Sequence, residues 1–97
     1  MRDYEVTVIL QPKLEEKERN ELVESITVLL VPEDAEDGNP QLDVWGMRKM
    51  AYAIQKFSEG YYLHYNAKID PARLSEIERS MQYMEDVIRY LIVCKED

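Results

Sequence analysis

Only one cysteine, Cys94, and one histidine, His64, occur among the 97 residues of this chain. A lone cysteine excludes an intrachain disulfide, and one cysteine with one histidine leaves too few ligands for a zinc-type site, so no metal is expected. Glycine is scarce as well. Gly38, Gly46 and Gly60 are the whole supply, which argues against a glycine-rich ligand loop and against a cofactor or small-molecule substrate. No apolar run approaches the roughly 20 residues needed to cross a bilayer. The opening stretch MRDYEV has neither an apolar signal core nor an Arg/Ser-rich transit pattern. The expectation is a cytosolic protein without a membrane partner.

What is present is 45% apolar residues, enough to build the core of one domain over residues 1–97. The net charge of −8 is unevenly spread. Residues 14–43 hold ten carboxylates against Lys17 and Arg19, so the whole excess lies there and the rest of the chain is neutral. Residues 44–58 contain no acid, but they hold Arg48, Lys49 and Lys56. Overall acidity would weigh against a phosphate-bearing partner. Confinement of the acid to one segment removes most of that objection.

Periodicity orders the chain. Tyr4, Val6, Val8 and Leu10 alternate with Glu5, Thr7 and Ile9, as in a strand with one face on a core. Pro12 suits the first turn of a helix running from about 13 to 30, where Leu14, Leu22, Val23, Ile26, Leu29 and Leu30 recur at helical spacing. VPEDAEDGNP (31–40) is a solvated loop. Residues 41–57 form a second strand, and Gly46 marks a bulge or a close backbone approach. SEG (58–60) reads as the turn before a third strand over 60–69. In that strand Tyr61, Leu63, Tyr65, Ala67 and Ile69 share one row, and Tyr62, His64, Asn66 and Lys68 the other. Asp70 and Pro71 start a second helix, striped by Leu74, Ile77, Met81 and Met84. A β-branched run over 86–95 closes the pattern.

The order β-α-β-β-α-β predicts an α+β, ferredoxin-like sandwich, with a four-stranded antiparallel sheet and two helices on one face. Right-handed crossovers put the first and third strands in the centre. The strand with Arg48 and Lys49 is then an edge, and the face away from the helices stays open.

Taken together, MR.YEV at the N-terminus, WG.RK.AY.I.K at 45–56, GYY at 60–62 and DVIRYLIV at 86–93 resemble the bacterial small-subunit ribosomal protein six family over essentially the whole chain. The resemblance implies a non-catalytic component of the small ribosomal subunit. It implies binding to the central domain of small-subunit rRNA together with ribosomal protein eighteen, as a heterodimer. The location is then the ribosome, in the cytoplasm or in an organelle. Position by position, the resemblance assigns rRNA contact to Arg2, to the Arg48–Lys49 pair, to Lys56 and to Arg89, and it matches Tyr52. His64 falls where relatives place an aromatic side chain. Asp3, where a second base is common, Ala53 in place of a frequent proline, the acidic 33–43 segment and the short C-terminal end depart from the pattern.

Other readings stand beside these. Basic residues on an edge strand also discourage aggregation. Because neighbours on a strand point to opposite faces, Arg48 and Lys49 are expected to serve different neighbours. Tyr62 and His64 would stack bases, or cover the sheet, or touch a protein partner. Trp45 is expected to be a packing or bulge residue. No nucleophile or orienting carboxylate accompanies His64, so catalysis is not expected. The alternative function is a dimeric ferredoxin-like regulatory module that binds a small ligand.

Overall fold

The computed structural model describes residues 2–31 and 39–95. Most of the expected 31–40 loop, with Glu33, Asp34, Glu36 and Asp37, lies outside the described residues. The elements are β1 (Arg2–Leu10), α1 (Glu16–Leu30), β2 (Gln41–Ile54), β3 (Phe57–Ile69), a short 3-10 turn (Pro71–Arg73), α2 (Leu74–Tyr83) and β4 (Val87–Cys94). They form one sheet in the order β2-β3-β1-β4, and all three pairings are antiparallel. The predicted fold and the edge placement of β2 are observed.

The core lies between the sheet and the helices. Val6, Val8, Leu10, Leu63, Tyr65 and Ile69 from the two central strands meet Ile26 and Leu30 of α1 and Ile77 and Met81 of α2. Alternation puts every second strand residue on this side. Fully burying each such side chain contributes about 1.5–3 kcal/mol, which fixes the register of both central strands. Tyr65 carries its hydroxyl into this layer, where it meets Thr27 Oγ1 at 2.8 Å, and Thr27 in turn donates to the Val23 carbonyl at 2.8 Å. Burial pushes the Tyr65 phenol up from its ordinary pKa, with the Thr27 bond opposing.

Four local details differ from the sequence reading. Helix α1 starts at Glu16, because Pro12 and Lys13 form a turn first. The β2–β3 hairpin turns at Gln55 and Lys56, both with positive φ (50° and 75°), while Ile54 pairs with Phe57. SEG is therefore inside β3. Gly60 is needed there for space: a Cβ on it would run into Ile9 Cγ2 and sit 3.3 Å from the Leu10 carbonyl. Finally, Arg73 donates to the Leu29 and Val31 carbonyls at 3.2 and 3.1 Å. It caps the C-terminus of α1 from the start of the second helical segment, which suits a cation at the negative helix end. Asp70 caps that segment as expected, accepting from the Ala72 N–H at 3.0 Å.

Candidate nucleic-acid interface

The open face is organised by a bulge in β2. Val44 pairs with Leu63, Gly46 pairs with Tyr62, and Trp45 is the extra residue between them. Gly46 has φ +82°, a left-handed conformation that glycine adopts without steric cost. The bulge turns the Trp45 ring onto the open face. It lies parallel to His64, with ring centroids 4.9 Å apart and planes 5° apart, and it stacks on Tyr62 at 6.5 Å and 16°. Arg48 places its guanidinium carbon 4.9 Å from the centre of the Trp45 ring, within cation–π range. Trp45 Nε1 donates to Asp43 Oδ2 at 3.3 Å. His64 Nε2 lies 3.5 Å from Glu5 Oε1, which fixes the edge of the imidazole.

Trp45 is thus the bulge residue, as expected, and it is also the centre of a half-open plate. The sequence signal was Gly46: a bulge adds one residue and so redirects the side chain before it. Arg48 pairs with Gly60, so it shares the face of Tyr62 and His64, whereas Lys49 pairs with Glu59 on the helix side. The structure therefore separates the two cations.

Beyond Lys49 the β2–β3 ladder stops and resumes only at Ile54. Residues 50–53 of β2 face the single residue Ser58 on β3, and this excess makes the arm arch over the open face. Tyr52 at its crest reaches the opposite edge of the sheet. There Arg89 Nη1 donates to the Tyr52 hydroxyl at 3.1 Å, a bond that raises the arginine pKa further above its ordinary value. Arg89 pairs with Ile9 on the open face. Of the sequence-assigned residues, Arg48, Tyr62, His64 and Arg89 therefore share one surface. Lys49 faces the other way, and Lys56 stands at the hairpin tip. Arg2 pairs with Ile69 in the helix-side row, at the exposed end of β1. Trp45 and Tyr52 join the surface without having been assigned to it.

The arrangement is a stacked aromatic plate with a guanidinium at each side. Among the described residues no group of three or more His, Cys, Asp or Glu side chains is placed to hold a metal ion. The plate is a partly exposed aromatic surface carried by a ferredoxin-like sheet. The family model described as Ribosomal protein S6 matches residues 3–94, and the chain belongs to that family of structural, non-enzymatic ribosomal components. It is 43% identical to small ribosomal subunit protein bS6 of Caldanaerobacter subterraneus subsp. tengcongensis over 97 residues, covering 100% of both chains. The bS6 protein of Thermoanaerobacter pseudethanolicus is 42% identical over 93 residues, 96% of each chain. Among solved structures, 30S ribosomal protein S6 of Thermotoga maritima superposes with a TM-score of 0.85 at 33% identity, covering 97% of this chain and 87% of that one.

Proposed function

We propose that this protein takes its place in the small ribosomal subunit by binding the central domain of small-subunit rRNA, as a heterodimer with ribosomal protein eighteen. The carrying observation is the Arg48–Trp45–His64–Tyr62 plate. Its rings offer sequence-tolerant stacking surfaces and its guanidinium a phosphate contact, the two ingredients of single-strand RNA recognition. Charge segregation supports the orientation. Glu16, Glu18, Glu21 and Glu24 are exposed on α1, on the opposite side of the sheet from the plate. An anionic helix repels phosphate and attracts a basic protein, so RNA would meet the open face and the partner the acidic side. The bacterial sources of the relatives favour a bacterial ribosome as its location.

The test is rRNA binding across a salt series, with and without the partner protein. Few phosphate contacts give a shallow log–log salt slope, and Arg48→Ala should reduce that slope by about one contact. Lys49→Ala should change it far less. Equal losses from both variants would overturn the division of the pair, and absence of binding to both rRNA and partner would overturn the function.

A further inference from the structure

Beneath the arched arm lies a recess of about 280 Å³, between residues 50–54 of β2 and the open faces of β1 and β4. Ile9, Ile54 and Leu91 give it apolar walls, Tyr62 an aromatic one, and Thr7 and Arg89 polar groups. None of the residues lining it is acidic. We propose that this recess captures one unpaired RNA base, while the adjoining base stacks on the Trp45 plate and Arg89 holds the phosphate between them. The proposal rests on the RNA-binding reading above and specifies how the open face uses it.

Three observations converge. Tyr62 belongs both to the stack with Trp45 and to the wall of the recess, so the plate leads into the recess without interruption. A nucleobase has flat apolar faces and a polar edge, which matches apolar walls combined with a few hydroxyl and guanidinium groups. A guanidinium presents five N–H donors, and Tyr52 accepts from one of its nitrogens, so donors remain for phosphate oxygens. The cations along the path, Arg48 beside Trp45 and Arg89 in the recess wall, favour a polyanion over an apolar peptide side chain as occupant. The arm supplies the entrance: residues 50–53 have no ladder partner across the hairpin, and the Tyr52–Arg89 bond joins its crest to β4. A base already paired in a duplex could not enter, so the recess selects single-stranded RNA.

The experiment uses the full chain with labelled isoleucine methyl groups, titrated with hexauridylate and with an abasic ribose-phosphate chain of the same length. The intact oligomer should shift the Ile9 and Ile54 methyl resonances and quench Trp45 fluorescence. The abasic chain should do neither and should bind at least about thirtyfold more weakly, as loss of two base contacts implies. Leu91→Phe, at a position 54% exposed, narrows the recess and should bring the affinity for the oligomer toward that of the abasic chain. Unchanged Ile9 and Ile54 methyls at saturation would overturn the proposal. So would equal binding of the two chains, or no binding of the oligomer at all. Methyl shifts that arise only on addition of the partner protein would overturn it by assigning the recess to a protein side chain. Each of these results can coexist with intact rRNA binding by the heterodimer, which is measured separately.

Discussion

On the helix-covered face of β3, Leu63, Tyr65 and Ile69 are fully buried; on the other face of the same strand, Tyr62, His64 and Asn66 keep part of their surface in water. The covered face turns most of its polar groups inward: the Tyr65 hydroxyl meets Thr27, and the two terminal nitrogens of Arg73 meet the end of α1, while its Nε is buried without a partner among the described residues. The open face leaves chemistry available. Its rings stack on one another and under Arg48, its arginines keep unused donors, and Asn66 Oδ1 is buried without a partner among the described residues. Matched pairs of residues from one strand thus serve stability on one side and recognition on the other.

The sharpest way to break this comparison is to truncate adjacent residues. Leu63→Ala should cost about 2–5 kcal/mol in denaturant unfolding, because it opens a cavity in a packed core. His64→Ala should stay within about 1 kcal/mol of the parent, since it removes only a partly exposed ring and its contact with Glu5 at the surface. RNA affinity should respond in the reverse order. A smaller effect is expected at Gly60, where the open face is packed tightly against Ile9. Gly60→Ala should cost about 1–3 kcal/mol through overpacking against Ile9. Adding Ile9→Ala should recover part of that loss, a non-additivity visible in a double-mutant cycle. Smallest is Tyr65→Phe, at about 1 kcal/mol for one hydrogen bond. The phenol's raised pKa means that its contribution is intact below the ordinary value of 10.0 and fades as pH climbs through the higher folded value. Alkaline unfolding curves should therefore converge for parent and variant.

Much of this was legible in the sequence because burial on one face imposes a period. The alternation in β1 and β3 and the stripe in α2 gave the element order, the sheet order and the membership of the core. The hairpin turn was not legible. Gln55 and Lys56 adopt left-handed backbone without the glycine or asparagine that usually announces it, whereas the conspicuous Gly60 serves a close approach in mid-strand. Nor could local pattern reveal contacts between distant segments. Tyr52 with Arg89 joins opposite sheet edges across 37 positions, and Arg73 reaches α1 across 42 and 44 positions. The bulge at Trp45 was expected, but not the direction of its ring, which depends on the register of the partner strand.

That single inserted residue has a bearing on how relatives should be compared. Upstream of it the even-numbered side chains, Leu42 and Val44, share the helix side; downstream that side belongs to the odd-numbered Met47 and Lys49. The bulge acts as a phase shift in a two-letter code of inside and outside. A relative that lacked it would present the residue aligned with Lys49 to the open side and hide the one aligned with Arg48, with no change in either identity. An ungapped alignment carries no sign of such a shift, so residues matched to the two cations can trade faces while the similarity score stays the same.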